Sequence, residues 1–212
     1  MGHACFLLET NKGTKIITDP YEPWSYQGAV DYGPIDIDAD IVTVSHKHPD
    51  HNFTRGFSKA KIFDKEGIFE VADIEIKGVL SYHDNQKGKF RGTNIIFVFN
   101  AEGIKIVHFG SLGTLDIDYE ALGAIDVALL PVGGVFSIEA REIDELYEKI
   151  KPKIFIPMLF KTPKLRWDFD IAGIEEFLKY KDKEDFERRK ILEVNPQNIN
   201  SFKKIVILDY LR

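Results

Sequence analysis

Short apolar, β-branched runs dominate the first half of the chain. They fall at residues 5–8, 14–18, 40–45, 61–63, 74–82, 93–99 and 104–108, a pattern that predicts strands. Turn-forming stretches separate them: Asn11-Lys12-Gly13, Glu66-Gly67, Gln86-Lys87-Gly88 and Glu102-Gly103. The period changes in the second half. Residues 126–131 form a continuous apolar strand, and Ser137 is placed to cap a helix with Glu139 and Glu142 in its first turn. Ile143, Leu146, Tyr147 and Ile150 then recur at helical spacing. Residues 153–158 predict the next strand, 169–180 and 182–190 two helices, and 204–211 a closing strand. Strands first and βα units afterwards predict an α/β fold of two face-to-face sheets with helices outside. No repeat, low-complexity segment or linker divides the 212 residues, so a single domain over 1–212 is expected.

Composition narrows the setting. A chain of this length can bury a core without disulfide staples. Its one cysteine, Cys5, lies in an apolar run and reads as a small buried hydrophobe, which suits a reducing compartment. No apolar run approaches the ~18–20 residues of a membrane span, and the N-terminus lacks the pattern of a signal peptide. A cytoplasmic protein without membrane partners is expected. A net charge of −6 disfavours general nucleic-acid binding. Abundant Lys and Glu with little Gln hint at a heat-loving source.

The chemistry concentrates at Ile41-Val42-Thr43-Val44-Ser45-His46-Lys47-His48-Pro49-Asp50-His51. An apolar strand ends there in metal-capable side chains. In extended chain, positions two apart point the same way, so His46 and His48 can share one ion. Pro49 suits a change of direction, after which Asp50 and His51 can serve a neighbouring position. Imidazole with carboxylate suits zinc, iron or manganese better than calcium or magnesium. Core filling does not account for three histidines and an aspartate within six residues, and a solvated loop does not need them.

His-x-His-x-Asp-His after an apolar strand resembles the signature of the metallo-β-lactamase superfamily. The wider pattern is similar to its lactonase-like branch, which includes ascorbate-6-phosphate lactonase. Gly2-His3-Ala4-Cys5-Phe6, Thr18-Asp19-Pro20, Ser81-Tyr82-His83-Asp84 and His108-Phe109-Gly110-Ser111-Leu112-Gly113 look like its landmarks, as do Pro131-Val132-Gly133-Gly134 and Ile156-Pro157-Met158. The resemblance covers residue 2 to about residue 162. It implies a four-layer αββα sandwich with the site at a sheet edge. It also implies a first metal on His46, His48 and His83, and a second using Asp50 and His51. Asp19 is implied to orient the ligand loop, although an Asp-Pro turn explains it nearly as well. Two positions depart from the family pattern: Ser111 stands where an aspartate bridges two metals, and Leu159 where a last histidine binds. One zinc ion is therefore expected, the second weak or absent, with manganese or iron also compatible. His3 and His108 read either as groups that hydrogen-bond a ligand or as satisfied polar residues; His108 could also stand in for the missing aspartate.

This reading implies a metal-dependent hydrolase. Zinc lowers the pKa of its bound water from about 15.7 toward 7, giving a hydroxide that attacks an ester, lactone or phosphoester. Asp50 would orient that hydroxide or act as general base, and Ser111 and His108 could donate to the developing oxyanion. Lys87, Lys89 and Arg91, with Lys161, Lys164 and Arg166, suggest a positive mouth for a small anionic substrate; two solvated loops explain them equally. Two other functions stay open. One is a catalytically degenerate member that binds a ligand or partner. The other is a phosphodiesterase or nuclease, for which no aromatic and basic groove is visible. A homo-oligomer is compatible with the sequence. Relatives of this kind carry a short strand ahead of the Gly-His, whereas Met1 directly precedes Gly2; a clipped first strand or a different start site is expected.

Overall fold

The computed structural model describes residues 1–210. Its strands are β1 (Phe6–Glu9), β2 (Lys15–Thr18), β3 (Ile41–Thr43), β4 (Lys61–Phe63), β5 (Gly67–Val71), β6 (Ile74–Tyr82), β7 (Thr93–Ala101), β8 (Ile104–His108), β9 (Val127–Pro131), β10 (Ile154–Met158), β11 (Phe186–Arg189) and β12 (Ile205–Leu208). They form a four-stranded sheet in the order β1-β2-β3-β4 and an eight-stranded sheet in the order β11-β12-β10-β9-β8-β7-β6-β5.

Alternation within each strand assigns the layers. Ile16 and Ile41 of the small sheet pack with Ile76, Ile95, Phe97 and Phe99 of the large one, forming the core between the sheets. Their chain neighbours Ile17 and Val42 face the other way, toward Tyr21, Val30, Tyr32 and Phe57. In β9, Val127 and Leu129 point inward, while Ala128 and Leu130 meet Ile143 and Leu146 of the helix Ala140–Ile150. This is the expected sandwich, with thin outer layers. Apart from that helix, the helical segments are short, including Tyr119–Leu122 and Ile174–Leu178. Loops cover the small sheet. No helix among the described residues is long and apolar enough to cross a membrane. Cys5 is buried, as its apolar run predicts.

Four expectations change. Residues 182–190 are not a helix: Phe186–Arg189 form β11, parallel to β12 in the register Phe186↔Ile205 to Arg189↔Leu208. Pairing with an available edge, with Phe186 packed on the outer core, outweighs the helix-favouring charges. Of residues 169–180, Ile174–Leu178 are helical, because Lys161 first bridges Gly173 and ties residue 172 into the site loop. Ser137 does not cap the long helix; its hydroxyl is buried without a hydrogen-bond partner among the described residues. The cap is Glu139, whose N–H donates to the Glu142 carboxylate at 2.8 Å. β5 was hidden by the Glu66-Gly67 turn signal, and its Ile68 is 66% exposed. The closing strand runs Ile205–Leu208; residue 211 of the predicted 204–211 lies outside the described residues.

Candidate metal centre

The cluster of candidate ligands forms where the ends of β3, β6 and β8 meet. Past β3, the Ser45 carbonyl accepts from Ile95 N–H of β7 at 2.8 Å, stitching the small sheet to the large one. The chain then turns, with His51 N–H donating to the His48 carbonyl at 2.9 Å. His83 follows β6, held by Gly92 through its N–H at 3.0 Å. Behind it the chain leaving β8 passes so close that a Cβ on Gly113 would lie 2.3 Å from the His83 carbonyl carbon. Only glycine permits that approach. Gly110, at φ +59°, is similarly confined by Asn94 and Ser45.

His46, His48 and His83 bring their ring nitrogens within 4.8 Å of one another. Ring centroids are separated by 4.6 Å for His46–His48, 4.5 Å for His46–His83 and 5.1 Å for His48–His83. Burial and the neighbouring imidazoles push His46 well below the ordinary histidine value. The same causes lower His83 to about 4, and burial lowers His48. Nitrogens of this cluster, His46 Nε2 and His83 Nδ1, are buried without hydrogen-bond partners among the described residues. Neutral imidazoles whose nitrogens gather this closely, with a buried unpartnered nitrogen on His46 and on His83, fit a metal ion.

Asp19 organises this cluster from beneath. Its Oδ1 accepts from Ser45 N–H at 2.7 Å, and its Oδ2 from Ser45 Oγ at 2.5 Å and His51 Nδ1 at 2.8 Å. The Ser45 proton is thereby committed, so His46 Nδ1–H donates to Ser45 Oγ at 2.9 Å. That tautomer leaves His46 Nε2 free to bind. Burial would raise the Asp19 carboxyl, but His108, His51 and Ser45 outweigh it and lower it.

Asp50 has both oxygens engaged. Oδ2 contacts His3 Nε2 at 2.8 Å, and Oδ1 accepts from the Tyr26 hydroxyl at 3.0 Å. Burial would raise Asp50; His51 and the His3 hydrogen bond outweigh it and hold the carboxyl far below its usual range. Burial lowers His3, making it the neutral donor to Asp50. His51, between Asp19 and Asp50, is raised despite burial. Ser111 Oγ lies 3.4 Å from His51 Nε2. Leu159, at φ 52°, lines the same pocket.

Some expected site residues lie elsewhere. His108 faces away: Nε2 meets the Ala4 carbonyl at 2.8 Å and Nδ1 accepts from Gly110 N–H at 3.2 Å. With both nitrogens engaged in the core, it neither replaces a metal ligand nor donates to a substrate. Lys89 is not on the pocket wall; its Nζ lies over the Phe90 ring. Lys161 Nζ is spent on the carbonyls of Arg166 and Phe169. Arg166 lines the pocket but pairs with Asp168 at 2.6 Å. Arg91 also lines it, and has no carboxylate ion partner among the described residues. Sequence reasoning missed Ser45, Tyr26, Phe136 and Phe169. Ser45 was detectable as a hydroxyl directly before a ligand; the other three reach the pocket only through loop packing.

Comparison with known proteins gives this geometry its context. A model of the beta-lactamase superfamily domain matches residues 1–159. The UPF0173 metal-dependent hydrolase of Thermococcus kodakarensis is 31% identical over 191 residues, covering 76% of this chain and 83% of the relative. The protein of that name from Pyrococcus abyssi is also 31% identical, over 84% of this chain and 89% of its own length. A crystal structure from Thermotoga maritima, named for a Zn-dependent hydrolase of the metallo-beta-lactamase superfamily, superposes with a TM-score of 0.76. It is 35% identical, with 98% of this chain and 95% of that one covered. The chain belongs to the metallo-β-lactamase superfamily, and its enzyme class is that of the metal-dependent hydrolases.

Proposed function

We propose that this protein is a hydrolase working through one principal metal ion, held by His46, His48 and His83. Its substrates would be esters, lactones or phosphoesters of small anionic molecules. The observation that carries this reading is the convergence of three neutral imidazoles, with His46 Nε2 and His83 Nδ1 buried and unpartnered among the described residues. Zinc suits three histidine nitrogens in an open site, and manganese or iron would also be held. When bound, the ion supplies Lewis-acid activation of water.

The remaining steps belong to the chain. Ser45 and Asp19 hold His46 in its binding tautomer. Asp50, ionised and doubly hydrogen-bonded, is a weak proton acceptor, which favours an orienting role over that of general base. Ser111 Oγ faces the pocket and can donate to an oxygen that gains charge there. Leu159 and Ser111 offer little to a second ion, which supports one metal rather than two.

Elemental analysis after zinc loading should find about one metal per chain. His48→Ala should lose both that metal and hydrolysis of a model ester or phosphodiester. Hydrolysis that survives the substitution would sink the scheme.

A further inference from the structure

The pocket of about 400 Å³ above the imidazoles has a second wall made of rings. Tyr26 meets Phe169 edge-on, with centroids 6.1 Å apart, and Phe169 meets Phe136 at 5.9 Å. The three rings come from separate loops yet form one surface. Tyr26 and Phe136 remain 43% and 37% exposed. Contiguous exposed apolar surface at a pocket mouth marks a binding face.

A cation completes this wall. The Arg91 guanidinium sits 5.4 Å from the centre of the Phe136 ring, and its Nη1 donates to the Val135 carbonyl at 2.7 Å. Its backbone N–H is held by Asp84 at 2.7 Å. Arg91 is thus fixed at both ends, and the fork keeps donors for an anion. Val135 adopts φ 52° and Tyr26 φ 51°, conformations that neither side chain favours. Strain of this kind persists where the surroundings impose it, and here it sets the Val135 carbonyl and the Tyr26 ring.

We infer that this pocket selects a carboxylate carried on a flat aromatic body. The ring would lie against Phe136 and Phe169, the carboxylate on Arg91, and the bond to be cut toward His46, His48 and His83. A sugar phosphate would find few hydrogen-bonding groups on the ring wall. The last of these placements rests on the hydrolase reading above; the ring and carboxylate sites do not, so binding is measured apart from turnover.

The test is calorimetric titration of the zinc-loaded and the metal-free protein with 2-naphthoate, 2-naphthamide, acetate and glucose 6-phosphate. Using the metal-free protein separates binding at Arg91 from direct ligation of zinc. We expect 2-naphthoate to bind both forms at least about tenfold tighter than acetate or glucose 6-phosphate. Arg91→Gln should weaken naphthoate about tenfold and leave naphthamide unchanged. Phe136→Leu, with folding checked by circular dichroism, should weaken both. Tighter binding of glucose 6-phosphate, or naphthoate affinity indifferent to Phe136→Leu, overturns the assignment. Intact naphthoate binding without hydrolysis of any ester would uphold the pocket and count against the hydrolase reading alone.

Discussion

At Ser45 one hydroxyl does two jobs. It donates to Asp19 and receives the Nδ1 proton of His46. Ser45→Ala removes both contacts without altering a ligand atom. Partners of this kind typically contribute 10- to 100-fold in metal affinity. Zinc affinity, read by competition with a chromophoric chelator, should fall by roughly that factor. Unchanged affinity would mean that the imidazole needs no such anchor. The candidate ligands stand out in the sequence because His46, His48, Asp50 and His51 crowd one strand end. Tyr26 was not. Its hydroxyl reaches Asp50 only because the chain around it adopts left-handed geometry at Trp24, Tyr26 and Gln27. His108 takes the second of its two readings, a satisfied polar residue. It sits in a family landmark, but its direction depends on Ala4, more than a hundred residues away in the chain.

Between His83 and β7, one carboxylate shapes a whole loop. Asp84 accepts the N–H groups of Gln86, Gly88, Phe90 and Arg91 at 2.7–3.0 Å. Burial would raise its pKa, but those four bonds outweigh it and lower it to about 2. A carboxyl whose pKa is depressed in the folded state stabilises that state above its unfolded value. The contribution is complete above about pH 4 and is lost as the pH falls through about 2. Amide exchange at residues 86–91 should therefore accelerate selectively as the pH drops through this window, once intrinsic rates are corrected. Asp84→Ala should speed exchange there about tenfold near neutral pH, and should also weaken anion binding by loosening Arg91. Exchange that is unaffected would show that the Arg91–Val135 contact holds the loop alone. At this scale the sequence was informative about regular elements and less so about irregular ones. Period-two runs located most strands. The Lys, Glu and Arg residues of 182–190 favour a helix, and only the neighbouring β12 makes Phe186–Arg189 a strand.

The sandwich places every candidate ligand at one rim, where the end of β3 is bonded across to β7. An ion held there would couple metal to fold, because it would join His46 and His48 after the small sheet's β3 to His83 after the large sheet's β6. The architecture was legible from strand order and inward-outward alternation. The number of metals is not legible there, because it turns on what Ser111 and Leu159 offer at a point built from distant segments. Thermal unfolding detects such an ion, and a zinc titration counts how many are bound. An ion that binds only the folded state, present at a hundred times its dissociation constant, stabilises by about 2.7 kcal/mol. For a chain near 200 residues, at roughly 2–4 °C per kcal/mol, this is a rise in Tm of about 5–11 °C. The natural protein should show a rise of this size and bind about one equivalent of zinc by direct titration, and His48→Ala should show neither. Ser111→Asp combined with Leu159→His should add a second bound equivalent. If that double variant also creates hydrolysis in a protein otherwise inactive, the natural chain is a binding module that has lost catalysis. If the natural chain already saturates with two equivalents, Ser111 and Leu159 do not limit the centre and the one-metal scheme is wrong.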